Sequence, residues 1–122
     1  MHEVILIVDD DHPIRVLLVR LLRRQGYLVL QAATTNEALA ALNGDETDLV
    51  ISDIELSGES GIELRKVIAE RWPNLPVILL SGYSAEEPAE FAARTPRTLF
   101  VQRPFVAEHF LSLVALTLRL ST

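Results

Sequence analysis

The sequence predicts an α/β fold built on a five-stranded parallel sheet with helices on both faces. Three observations predict it. Short runs rich in Val, Ile and Leu alternate strictly with helical patterns along the whole chain, which is how parallel strands joined by crossover helices read. Most of the runs are apolar without a period of two, as strands covered on both faces require. At 122 residues, with 49% hydrophobic and 23% charged, the chain has the length of one domain and enough apolar mass for a packed core.

The elements follow in order. Val4–Val8 is the first strand and runs into Asp9-Asp10-Asp11. Asp11 ahead of Pro13 reads as a helix cap and first turn. Ile14, Leu17, Leu18, Leu21 and Leu22 then fall on one helix face, and the helix stops at Gly26. Tyr27–Ala32 is the second strand. Thr34 and Glu37 have the spacing of a capping box and open a helix that ends at Asn43-Gly44. Leu49–Ile54 is the third strand, and Ile62–Arg71 the third helix, closed by Trp72-Pro73. Val77–Leu80 precedes a weaker helix over Ala85–Arg94, with Pro88 near its first turn. Leu99–Gln102 and a strong helix over Ala107–Arg119 complete the series. Right-handed crossovers restrict the topology, and the three-layer, flavodoxin-like strand order 2-1-3-4-5 satisfies them. The chain carries no repeat or low-complexity tract, so a single domain over residues 1–122 is expected.

Composition excludes several classes. There is no cysteine, hence no disulfide, thiolate metal site or cysteine nucleophile. A net charge of −6 argues against direct nucleic-acid binding, which needs a basic face. The apolar runs are far shorter than the ~20 residues of a membrane span, and the start lacks the basic region and cleavage site of a signal peptide. No membrane insertion and a cytoplasmic location are therefore expected. His2, His12 and His109 lack i, i+4 spacing and make no metal site; His12 beside the acids reads as solvated or capping.

In parallel α/β sheets the site lies beyond the carboxyl ends of the strands. Here the first strand ends in Asp9-Asp10-Asp11, the third in Ser52-Asp53, the fourth in Ser81-Gly82 and the fifth in Arg103-Pro104-Phe105. Each has an ordinary reading alone: capping for the triplet, a solvated loop acid for Asp53, a turn for Ser-Gly, a surface cation for Arg103. Their joint placement is what points to a site. Carboxylates gathered at one edge repel and raise each other's pKa unless a cation joins them. A hard divalent ion such as Mg²⁺ fits oxygen ligands of this kind. A carboxylate beside a metal can attack phosphorus to form an aspartyl phosphate, while a hydroxyl and a cation hold the remaining oxygens. On that scheme Asp53 is the nucleophile, Asp10 the main carboxylate ligand, and Ser81 and Arg103 bind oxygens.

The motifs ILIVDDD, LVISDIELSGESGIEL, VILLSGYS and FVQRPF, in this order and spacing, resemble the receiver domains of bacterial two-component response regulators. The resemblance covers essentially the whole chain. It implies that Asp53 is the phosphoacceptor, that Asp10 binds Mg²⁺ directly and Asp9 through metal-bound water, and that the Glu55 backbone carbonyl completes the metal site. It implies further that Ser81 turns toward the phosphoryl group and that Phe100 changes rotamer on activation. The implied partner is a histidine kinase or a histidine phosphotransfer protein. The run around Gln102–Phe105, with Thr95-Pro96-Arg97 before it, is similar more weakly to receivers of hybrid sensor kinases.

Two positions depart from the family pattern. Arg103 stands where receivers carry lysine, and the single lysine, Lys66, lies in the third helix. Arginine keeps the charge but is larger and planar, so phosphorylation is expected to be slower or differently coupled, with Arg103 pairing to Asp53. The Arg103–Pro104 bond, cis in many relatives, is expected to aim the cation inward. Leu56-Ser57 replaces the usual proline, which alters a loop. The alternative reading is a degenerate receiver, a phosphorylation-independent binding module held in one state by Arg103. An aspartate-dependent phosphatase would want a lysine and a further acidic pair late in the chain, but no strand after Asp53 ends in acid and the one lysine is Lys66, and a flavodoxin would want a phosphate-binding nest where the acids stand.

The output surface in this family is helix 4, strand 5 and helix 5, which offers a route to a homodimer. In the fifth helix Phe110, Val114 and Leu118 read as core, while Leu113, Leu116 and Leu120 form a second face, either extended core or a contact patch. Val16 and Val19 widen the apolar face of the first helix, where a partner's four-helix domain would dock.

Overall fold

In a computed structural model, residues 2–56, 58–82 and 86–120 are described, with the side chains of 86–89 outside the description. Five parallel strands form the central sheet: β1 (Val4–Val8), β2 (Leu28–Ala32), β3 (Leu49–Asp53), β6 (Val77–Ser81) and β7 (Thr98–Gln102). Their order is β2-β1-β3-β6-β7, which is the expected 2-1-3-4-5. A two-stranded antiparallel hairpin, β4 (Glu55–Leu56) and β5 (Glu59–Ser60), interrupts the β3–α3 connection and has no counterpart in the sequence reading. The helices are α1 (His12–Arg24), α2 (Thr35–Gly44), α3 (Gly61–Arg71), α4 (Glu86–Arg94) and α5 (Ala107–Leu120). The expected starting residue of the fourth helix, Ala85, and Ser57 lie outside the described residues, as does the side chain of Pro88.

Successive strand residues point to opposite faces, so each strand feeds two cores. Ile5, Ile7, Leu49, Ile51, Ile78 and Leu80 pack with Leu18, Val19 and Leu22 of α1 and Phe110, Val114 and Leu118 of α5. Leu6, Val8, Val50, Val77 and Leu79 pack on the other face with α2 and α3 through Ala38, Leu42, Leu64 and Ile68. A continuous apolar run was the right signature of this double coverage.

Local chemistry sets the helix boundaries. Asp11 caps α1, accepting from the Ile14 N–H at 3.3 Å. Thr34 accepts from Glu37 N–H at 3.1 Å, while Glu37 Oε1 accepts from Ala33 N–H at 2.9 Å. Gly26, with φ at +95°, turns the chain out of α1. Tyr27 stays outside β2 because its N–H still donates to the Leu22 carbonyl at 3.4 Å. Pro73 keeps Trp72 out of the helical region and ends α3.

Two helix faces differ from expectation. Leu17 is 56% exposed, whereas Val19 is buried. At about 100° per residue Leu17 and Val19 lie on opposite sides of Leu18, and the helix turns the Val19 side inward. Val19 is thus core, and Val16 half-buried. On α5, Phe110, Val114 and Leu118 are core as expected, but the second face divides: Leu113 packs onto the core while Leu116 and Leu120 are 44% and 77% exposed.

Candidate functional site

The carboxyl ends of β1, β3, β6 and β7 meet at one edge of the sheet. Asp9 extends β1 by one rung, its N–H donating to the Ala32 carbonyl at 3.0 Å, and its side chain is only 1% exposed. Its Oδ1 accepts the Asp11 N–H at 2.9 Å and its Oδ2 accepts from Arg103 Nη2 at 3.1 Å. Asp53 ends β3 and is 7% exposed. Its Oδ1 accepts the Glu55 N–H at 3.1 Å, and its Oδ2 lies 3.5 Å from the same Arg103 Nη2. Asp10 stands exposed at the rim. One oxygen each from Asp9, Asp10 and Asp53 lies within 4.8 Å of the others. Among the described residues no other group of acids or histidines gathers this closely.

Burial pushes the pKa of Asp9 above 3.8; the Asp11 N–H works against it, the Asp53 charge reinforces it and Arg103 opposes it. Burial likewise raises Asp53, opposed by the Glu55 N–H and by Arg103. Two buried acids within ion-pair range of one guanidinium form a site built to accept positive charge. Three carboxylates offer the hard oxygen donors that a small divalent ion prefers, so Asp9, Asp10 and Asp53 fit Mg²⁺, with the Glu55 backbone held beside them by its N–H to Asp53.

The remaining predicted residues fall as follows. Ser81 ends β6, is buried, and its carbonyl accepts the Arg103 N–H at 2.7 Å, so strand pairing fixes both residues at the same edge. The Arg103–Pro104 peptide is cis. The expected pairing of Arg103 with Asp53 is present, but the shorter contact is to Asp9. Phe100 is half-buried against the α2–α3 core. Lys66 is remote on the α3 surface, paired to Glu63 at 3.3 Å. His2 and His109 are exposed, and His12 contacts Arg15 through Nδ1 at 3.0 Å.

Sequence reasoning missed two supporting residues. Arg15 donates through Nη1 to the Asp9 carbonyl at 2.7 Å and through Nε to Gln31 Oε1 at 3.4 Å, tying the acidic loop to β2. Its signal was a basic residue one turn into the helix that follows the acids. Gly61 begins α3 directly beneath the phosphoacceptor candidate: its N–H donates to the Ile54 carbonyl at 2.7 Å, and a Cβ there would lie 2.3 Å from the Asp53 carbonyl oxygen. Only glycine permits that approach.

Comparison with known proteins identifies the family to which this fold belongs. The family model for the response regulator receiver domain matches residues 5–115. The chain belongs to that family. It is a receiver domain of the kind found in two-component response regulators. It is 34% identical over 108 residues to the DNA-binding transcriptional regulator NtrC of Proteus hauseri, covering 88% of this chain but 23% of that protein. DNA binding belongs to the name of that longer protein. It is 39% identical over 83 residues to sporulation initiation phosphotransferase F of Bacillus subtilis, covering 68% of this chain and 67% of that one. A CheY-like receiver domain from Methanospirillum hungatei superposes with a TM-score of 0.92 at 28% identity, covering 99% and 97% of the two chains. The response regulator TrrA of Thermotoga maritima, solved in complex with Mg²⁺-BeF, gives a TM-score of 0.84 at 31% identity over 94% of this chain and 98% of that one. No described helix of the receiver is long and apolar enough to cross a membrane.

Proposed function

We propose that this receiver accepts a phosphoryl group on Asp53, in a Mg²⁺-dependent reaction, from a histidine kinase or a histidine phosphotransfer protein. The observation that carries the reading is the buried Asp53 carboxylate, clustered with Asp9 and Asp10 within 4.8 Å and facing one guanidinium. A carboxylate oxygen of Asp53 supplies the electron pair to phosphorus; the bond from phosphorus to the donor histidine nitrogen breaks, and that nitrogen keeps its pair. Mg²⁺ would supply charge neutralisation between nucleophile and phosphoryl oxygens. Asp10 and Asp9 would hold it, the first directly and the second through water, with the Glu55 carbonyl. The Ser81 hydroxyl and Arg103 bind phosphoryl oxygens. The complex of TrrA with Mg²⁺-BeF supports this chemistry, since beryllium fluoride has the tetrahedral shape of a phosphoryl group.

The added charge shifts the equilibrium of α4, β7 and α5, with Phe100 following the Ser81 loop. Leu99, Leu116 and Leu120 are exposed on β7 and α5 and suit a homodimer contact there. The setting is cytoplasmic two-component signalling, with no direct nucleic-acid contact by this module. Intact mass after incubation with a small phosphodonor tests the assignment. One phosphoryl increment should appear with Mg²⁺, vanish in EDTA and vanish in Asp53→Asn; equal labelling of Asp53→Asn overturns it.

The Arg103 ion pairs favour one second reading, a binding module locked without phosphorylation. A large gain in labelling on Arg103→Lys supports the lock, and unchanged labelling counts against it.

A further inference from the structure

A single nitrogen of this chain already serves both buried acids. Arg103 Nη2 is 3.1 Å from Asp9 Oδ2 and 3.5 Å from Asp53 Oδ2. These two carboxylates come from different strands, and both belong to the cluster that fits a divalent ion. The guanidinium is held there by its acids and by the Arg103 N–H bonded to the Ser81 carbonyl at 2.7 Å. Its Nε, by contrast, is buried with no protein partner. A buried donor left unpaired is costly, so this guanidinium sits where the acids pull it and not where all its donors are satisfied.

We infer that Arg103 is the resident counter-ion of the metal site: guanidinium and Mg²⁺ compete for Asp9 and Asp53. The inference rests on the phosphoacceptor reading and adds to it a residue that sets metal affinity. Two cations cannot share the same carboxylate oxygens at contact distance without repulsion. For a divalent ion to sit against Asp53 and hold its water on Asp9, Arg103 must give up these oxygens. Once displaced, it has a planar fork of donors, Nε included, that matches phosphoryl oxygens. The same side chain therefore weakens metal binding before transfer and becomes an oxygen-binding group after it.

The length of the side chain makes this specific to arginine. Its terminal nitrogens lie one bond farther from the backbone than a lysine ammonium. From the same position, just after β7, a lysine reaches less far toward β1, the more distant strand, and covers Asp9 less. A methionine removes the charge altogether.

Calorimetric titration of Mg²⁺ into the unphosphorylated protein tests this without any phosphotransfer. Arg103→Lys and Arg103→Met should each bind Mg²⁺ about tenfold more tightly than wild type, the scale of one lost charge-assisted contact to a carboxylate. In EDTA both variants should melt below wild type, and saturating Mg²⁺ should close that gap. Equal affinity in all three proteins, with Mg²⁺-dependent labelling of Asp53 intact, overturns the counter-ion role and leaves the phosphoacceptor assignment standing. Failure of all three to bind Mg²⁺ overturns both.

Discussion

Gly61→Ala should cost stability in proportion to how closely α3 approaches the end of β3. The new Cβ would sit 2.3 Å from the Asp53 carbonyl oxygen, 2.9 Å from Ile54 Cα and 3.1 Å from the Asp53 carbonyl carbon. All three are backbone atoms, so no side chain can rotate away and the β3–α3 connection itself must move. Overpacking of this kind costs about 1–3 kcal/mol. The same movement stretches the 2.7 Å bond from Gly61 N–H to the Ile54 carbonyl, for about 1 kcal/mol more. Alanine's better helix propensity returns at most about 1 kcal/mol, and less at the first residue of α3. The net loss is about 2 kcal/mol, or about 8 °C in Tm for a domain of this length. Gly44→Ala is the matched control: nothing lies within 4 Å of its Cβ position and its φ is not left-handed, so alanine there should be neutral or stabilise by up to about 1 kcal/mol. Thermal and urea unfolding of the two variants decide the matter. A Gly61→Ala protein melting within about 2 °C of wild type refutes the argument that the approach to Asp53 requires glycine.

Two further outcomes concern buried charge. Burial raises the carboxyl pKa of Asp9 and Asp53 above 3.8, so the folded, metal-free protein holds these protons more tightly than the unfolded chain. Their penalty is complete above the raised values and is relieved as pH falls through them toward 3.8. The urea midpoints of wild type and Asp53→Asn in EDTA should therefore converge as pH is lowered, and a gap that stays constant or widens contradicts the assigned shift. Arg65, buried on α3, donates through Nε to Thr98 Oγ1 at 2.6 Å and through Nη2 to the Pro96 carbonyl at 2.8 Å, and burial lowers its pKa. Its neighbours here are a hydroxyl and a carbonyl, and Thr98 Oγ1 also donates to Pro96 at 3.2 Å. Arg65→Met should thus stay within about 1.5 kcal/mol of wild type, while Arg65→Ala, which leaves a cavity, should lose about 3 kcal/mol in urea unfolding. Equal losses would place the stabilisation in the hydrogen bonds and not in the filled volume.

What the sequence made legible was whatever repeats with a period or punctuates a strand. Five apolar runs gave the sheet, and the polar residues that follow four of them gave the site edge, because in a parallel sheet those ends are forced to one side. Asp9, Asp53, Ser81 and Arg103 were legible for that reason. The hairpin Glu55–Ser60 was not, since two-residue strands carry too few residues to show alternation. Nor was the inward turn of Val19 over Leu17, because α1 offers apolar residues on most sides and only packing against α5 and the sheet selects among them. Gly61 was invisible for a related reason: its constraint comes from a backbone carbonyl supplied by β3, which no local pattern records. Arg103 lies between these cases. Its place at the edge could be read from the strand end, yet its partner could not. Pairing with Asp53 was the expectation for a cation standing in the place of the family's lysine, and the shorter contact to Asp9 follows from side-chain reach across the pocket, a distance set by the twist and spacing of four strands together.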